Sequence, residues 1–116
     1  MASAIRSVDH HTLIFYEPDV GFDFGVAAHV GALRHGPAGF AFHDYCLAAS
    51  PNGCASDPRG FSSALSHVAQ THDALLMTEW GSNPYRGDLT RMVSLADHHM
   101  VPWTEWAYCP CNDPTG

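Results

Sequence analysis

The stretch DALLMTEWGSNPY, residues 73–85, decides how this chain is to be read. Its apolar run, Leu75 to Met77, is too short for a helix, carries on to Glu79 and Trp80, and is stopped by Gly81, Ser82, Asn83 and Pro84, the punctuation that bounds a strand. Three other segments have the same character: residues 11–16 (HTLIFY), 39–46 (GFAFHDYC) and 101–108 (VPWTEWAY). Two of the gaps between them have helical spacing instead. Phe61, Leu65, Val68 and Ala69 recur with that period over residues 61–72, and Leu89, Met92, Val93, Ala96 and Met100 do so over residues 88–100. Asp57 and Asp88 suit helix starts, and Pro102 stops the second helix. The order is strand, long loop, strand, helix, strand, helix, strand. Such alternation predicts an α/β fold with parallel pairing.

That prediction explains why an apolar strand should finish on a carboxylate. Parallel sheets and barrels gather their sites at the C-terminal ends of the strands, and Glu17, His43, Tyr45 and Glu79 all fall at such ends. The loops between Tyr16 and Gly39 and between Cys46 and Phe61 are long and rich in Gly, Pro, Asp and His, as functional loops are.

Composition narrows the function classes. A chain of 116 residues has room for one domain. Its net charge of −7, with five Lys and Arg in all, lacks the basic footprint that neutralises phosphates, so nucleic acid is not an expected partner. No run approaches the eighteen apolar residues of a transmembrane segment, and MASAIRSVDHH lacks the apolar core of a signal peptide. Cys46, Cys54, Cys109 and Cys111 are spaced C-x7-C and C-x-C, which fits neither a zinc ribbon nor a redox C-x-x-C motif. Structural disulfides are therefore expected ahead of free thiols or metal, with the connectivity open and a secreted or extracellular setting implied.

The candidate chemistry follows from side-chain alternation along strands. His43 and Tyr45 share one face of their strand. Leu75, Met77 and Glu79 share a face of theirs, and Thr104, Trp106 and Tyr108 share a third that offers an aromatic platform for a sugar. A carboxylate among a tyrosine hydroxyl, an imidazole and a tryptophan suits nucleophilic attack on an anomeric carbon, because the donors hold it ionised and aimed. The plainer alternative pairs Glu79 with Arg86 or Arg91 at the surface. Glu17 reads as a loop-end carboxylate in solvent or at the rim, and Glu105, of opposite parity to Trp106, should face the helices. His98 and His99 diverge by about 100° on a helix and belong in its last turn, near the negative end of its dipole. No metal and no cofactor are expected. Ser50 and Ser82 lack the G-x-S-x-G context of a serine nucleophile.

Beyond these readings, LLMTEWG resembles the seventh-strand motif of family 5 glycoside hydrolases, and FAFHDYC resembles their sixth-strand His-x-Tyr. LIFYEP is similar to the fifth strand, and VPWTEWAYCPCNDPTG to the eighth-strand region, of the endoglycoceramidase-like branch. The resemblance spans nearly the whole chain in order. It implies the C-terminal half, strands five to eight, of a (β/α)8 TIM barrel, and a retaining β-glycosidase acting on glycolipids or other carbohydrates. Carried over by position, Glu79 matches the nucleophile, His43 and Tyr45 the pair that positions substrate and nucleophile, and Trp106 the floor beneath the reacting sugar.

The family's acid/base residue sits in an Asn-Glu motif upstream of everything here, and this chain has no Asn-Glu pair. Expected partners are accordingly a missing N-terminal half barrel or a second copy of the chain, besides the substrate. A different class of reading is a non-catalytic carbohydrate-binding or assembly module that keeps the aromatic platform and lacks the acid.

Overall fold

The computed structural model describes residues 1–33 and 35–107. Tyr108, Cys109 and Cys111 lie outside the described residues. Strands β1 (Ile14–Tyr16), β2 (Ala38–Asp44) and β3 (Ala74–Trp80) form one parallel sheet in that spatial order. Helix α2 (Asp57–Thr71) links β2 to β3, and α3 (Arg86–His99) follows β3. The protein is thus a small α/β fold, as the alternating pattern predicts.

Three elements differ from the sequence reading. A short helix, α1 (Ala2–Arg6), opens the chain. Its Arg6 is buried and donates to the carbonyls of Asp9, Thr12 and Pro37 at 3.2, 2.7 and 2.5 Å, which ties this helix to the start of β2. Strand β1 is shorter than residues 11–16. The Asp9 carboxylate accepts the backbone N–H groups of His11 and Thr12 and the Thr12 hydroxyl, a local turn that competes with extension.

The last segment forms isolated parallel bridges, Met77 with Trp103 and Gly81 with Trp106, in place of a continuous strand. Its backbone still holds to β3: Met77 donates to Pro102 and Thr104 to Met77 at 3.0 Å each, and Trp106 donates to Trp80 at 2.9 Å. Pro102 has no N–H to offer a ladder.

Both helices begin before their periodic residues. In α2 the first turn contains Asp57 and Pro58, where a missing N–H costs nothing. Before α3, Asn83 accepts the Tyr85 N–H at 3.0 Å and donates to Asp88 at 2.9 Å, fixing the approach to the helix. Both helices end on a left-handed residue, His72 and Met100. That geometry puts Met100 in solvent, although its spacing placed it on the apolar face. Ala64, not Ala69, is the buried alanine of α2.

The core lies between the sheet and these helices. Phe40, Phe42, Phe61 and Met77 are fully buried, packed with Phe22, Ala64, Trp80, Met92, Ala96 and Val101. Each of the four large side chains contributes roughly 2–3 kcal/mol by leaving water.

One irregularity decides which residues reach the other face. Up to Met77, which pairs with Phe42, the register of β2 and β3 runs without interruption. His43 then pairs with Glu79, so Thr78 has no partner of its own. The same extra residue shows on the other edge, where four steps of β3, Met77 to Gly81, oppose three of the last segment, Trp103 to Trp106. Thr78 is therefore a β-bulge, and a bulge reverses the facing of the residues beyond it. This overturns the expectation that Leu75, Met77 and Glu79 share a face. Met77 points with Phe42 into the core, while Glu79 stands with His43 on the face turned away from α2 and α3.

Candidate functional site

Four sequence-predicted residues meet at the C-terminal ends of the strands. The Tyr45 hydroxyl donates to Glu79 Oε2 at 2.8 Å. His43 has Nδ1 3.6 Å from the same oxygen and Nε2 2.6 Å from Glu17 Oε1. Glu17 also accepts the Thr78 hydroxyl at 3.2 Å, so the bulge residue and the end of β1 are joined through one carboxylate. Glu17 is accordingly an exposed rim carboxylate, as read from the sequence, that also belongs to the cluster. Among the described residues, the ion pair of Glu79 is with His43, not with Arg86 or Arg91; Arg91 donates to the Asn52 carbonyl instead.

Trp106 is brought to the same end of the sheet, bridged through its backbone to Gly81, two residues past Glu79, and its side chain is partly exposed. Thr104 donates its hydroxyl to the Thr78 carbonyl, pinning the segment beside the bulge. Glu105 runs near Gly81 and Leu89, on the side of α3, as its parity predicted. Tyr108, expected on the face of Trp106, lies outside the described residues. His98 and His99 sit in the last turn of α3, and His99 stacks on Phe61 with ring centres 6.1 Å apart.

A fifth residue of the cluster, and its third carboxyl, escaped the sequence reading. Asp23 lies on a single 3-10 turn, Phe22–Phe24, in the loop after β1. Phe22 packs edge-on against Phe40 and Phe42, with centroids 5.6 and 6.2 Å away, and this anchor brings Asp23 Oδ2 to 3.8 Å from His43 Nδ1. Gly25 closes the turn at φ 86°, a left-handed conformation that favours glycine. The motif GFDFG, an acid between aromatics and flanked by glycines, was the available signal. Burial, and next to it the carboxylates of Glu17, Glu79 and Asp19, push Asp23 up to about 6, against the opposing pull of His43.

Behind His43 the chain buries three further carboxyls, Asp44, Asp57 and Asp88, each with one oxygen that no hydrogen bond from the described residues reaches. Asp44 ends β2 on the core face. Burial pushes it up to about 8, with Asp57, Asp23 and Asp88 adding to the effect. Asp57 rises to about 6, again by burial first and by Asp88 second, with Arg91 opposing. Gly60 makes room for Asp44, since a Cβ there would lie 2.8 Å from Asp44 Oδ2. A pocket of about 190 Å3 opens beside Asp44 and Gly60, lined also by Phe22, Asp23, His43, Tyr45 and Arg59 among others.

Cys46 and Cys54 form a disulfide that closes the loop after β2 and borders this pocket. Among the described residues, the ligand atoms close enough to share a metal are those of Cys46, Cys54 and Asp57. The two sulfurs are already bonded to each other, which leaves that grouping without thiolates to offer.

The fold and site define a parallel α/β protein with a carboxylate, a tyrosine and a histidine converging where its strands end. No protein-family model matches the chain, and no curated protein matches it. No helix among the described residues is long and apolar enough to cross a membrane.

Proposed function

We propose that this chain carries the nucleophile half of a retaining β-glycosidase site of the family 5 type, with a carbohydrate or glycolipid as substrate. The observation that carries the reading is the 2.8 Å hydrogen bond from Tyr45 to Glu79 with His43 beside it. A carboxylate that attacks an anomeric carbon must be ionised and held in line, and a tyrosine hydroxyl donor does both. Trp106, at the end of the neighbouring segment, supplies an apolar surface for the sugar ring. The parallel order of β1, β2, β3 and the bridges to residues 101–107 support this reading, because consecutive barrel strands pair in that way. In this reading the two outer edges meet a complementary half barrel or a second copy.

Retaining hydrolysis needs two carboxyls roughly 5–5.5 Å apart. The motif that carries the acid in that family is absent, so the chain alone is expected to be slow on natural substrates. The nucleophile is tested without the acid. A 2-deoxy-2-fluoro-β-glycoside with a 2,4-dinitrophenolate leaving group departs unprotonated and traps the glycosyl ester. The glucosyl, galactosyl and mannosyl reagents are incubated with the chain, followed by intact mass and peptide mapping. An adduct on Glu79 is the expected result. Glycan binding without any adduct, in folded protein, would replace this reading with that of a non-catalytic carbohydrate-binding module.

A further inference from the structure

We propose that reduction of the Cys46–Cys54 disulfide converts the loop after β2 into a site for a thiophilic divalent cation of the zinc class, held by Cys46, Cys54 and Asp57. The proposal is independent of the glycosidase reading above.

The spacing C-x7-C-x2-D does not announce a metal. The fold makes the convergence instead. Cys46 follows the end of β2, while Cys54 and Asp57 lie either side of Ser56, the N-cap of α2. The two cysteine Cα atoms are 6.2 Å apart, and both Sγ atoms and an Asp57 carboxylate oxygen lie within 4.8 Å of one another. On a tetrahedral zinc, with Zn–S about 2.3 Å and Zn–O about 2.0 Å, such atoms are about 3.5–3.8 Å apart. Once the S–S bond is broken, side-chain rotation brings the three to that geometry.

A second observation points to a ligand. Asp57 is 3% exposed, and its Oδ1 has no hydrogen-bond partner among the described residues. A carboxylate buried in this way is costly unless a cation or a donor meets it. Arg91 reaches the same loop from α3, but its hydrogen bond goes to the Asn52 carbonyl. The surroundings also suit thiolates. The Ser56 hydroxyl lies 2.8 Å from Cys54 Sγ and 3.7 Å from Cys46 Sγ, and the N-terminus of a helix favours negative charge. Cys46 and Ser56 line the 190 Å3 pocket, which gives the cation a way in and leaves its fourth position to water.

The oxidised chain has no thiolate to offer, so the cation binds the reduced chain alone. A dithiol reductant gives up two electrons and two protons and becomes a disulfide, while Cys46 and Cys54 become thiols. The cation then displaces both thiol protons to water as the two Sγ–metal bonds form.

Cys109 and Cys111 would add thiols of their own, so the test uses the full chain carrying Cys109→Ser and Cys111→Ser. The chain is reduced with a water-soluble phosphine, which takes up oxygen from one water to become the phosphine oxide, and is titrated with Co2+ and then Zn2+ under argon. The expected result is one Co2+ per reduced chain, with the thiolate-to-cobalt charge-transfer band and the visible bands of a tetrahedral site, all displaced by Zn2+. The oxidised chain should show none of this, and Asp57→Asn should weaken binding by about 100-fold, at least the loss that outer-shell changes cause. No charge-transfer band in the reduced chain, equal affinity in Asp57→Asn, or a reduced chain that stays unfolded when Zn2+ is added would overturn the proposal. Should Asp57→Asn itself fail to fold, alkylation decides: one equivalent of Zn2+ should shield both Cys46 and Cys54 of the reduced chain from iodoacetamide, and unchanged alkylation of either refutes the site.

Discussion

Replacing Asp44 by Asn should change how stability depends on pH more than it changes stability itself. The wild-type carboxyl is 5% exposed, and its Oδ2 has no hydrogen-bond partner among the described residues. Burial first, then Asp57, Asp23 and Asp88, raise its pKa from 3.8 to about 8. The folded chain therefore holds a proton that the unfolded chain gives up near pH 4. For such a group the stabilising contribution is fully present below the unfolded pKa and is lost as pH rises through the folded one. Each pH unit in that window costs about 1.4 kcal/mol, which gives a ceiling of roughly 6 kcal/mol for the whole span. Asp57 and Asp23, each raised to about 6, add to the loss in the lower part of the same window.

The assay is urea unfolding of wild type and Asp44→Asn, followed by circular dichroism, at half-unit steps from about pH 4 to pH 9. Asn keeps the shape of the side chain and has no proton to lose. The variant should resemble wild type near pH 4, become the more stable of the two by several kcal/mol near pH 8, and show a shallower slope between. Superimposable stability–pH curves would refute the reasoning, because they would mean that Asp44 ionises in the folded protein as readily as in the unfolded one.

Tyr45→Phe removes the donor to Glu79 from a partly exposed site; labelling of Glu79 by the fluoro reagent should slow by about 10-fold or more with the urea midpoint little changed. Gly60→Ala sets a Cβ 2.8 Å from the Asp44 carboxyl. Overpacking of that kind costs about 1–3 kcal/mol, more than the roughly 1 kcal/mol that alanine adds to a helix, so the variant should unfold at lower urea. Replacing Cys46 and Cys54 together by Ala opens a loop of sequence separation 8. The chain-entropy argument gives a loss of about 2.5 kcal/mol, measurable in the same titration under non-reducing conditions.

The strand and helix pattern was legible because apolar periodicity is a local property. LLMTEW and FAFHDY announce strands whatever surrounds them, and the convergence of Glu79, His43 and Tyr45 followed from their positions at strand ends. The bulge at Thr78 was not legible. Strict alternation put Met77 and Glu79 on one face, and nothing in the composition of LLMTEW marks an inserted residue, since the register is set by the neighbouring strands. The right cluster was thus found with the wrong facing for Met77. Asp23 escaped because its place depends on Phe22 packing against two rings of a strand sixteen or more residues away. Asp57 and Asp88 read as helix-start acids and Asp44 as part of the strand over residues 39–46, and the burial of all three is a consequence of tertiary packing.

The unpaired residue at position 78 also makes this strand unequally sensitive to length, with one place where a residue can be lost. Exchange of Thr78 for Ser keeps the spacing and the hydroxyl that Glu17 accepts, and alters little else. Loss of its single codon would restore unbroken alternation to β3 with Met77 still opposite Phe42 and Glu79 still opposite His43, at the cost of the hydroxyl that Glu17 accepts and the carbonyl to which Thr104 donates. In a gene, then, a three-base deletion at this codon is a lighter change than one anywhere between codons 75 and 77, which would reverse the facing of the residues before it. In laboratory evolution, deletions at codons 75 to 77 should be purged while deletion of codon 78 and substitutions there persist.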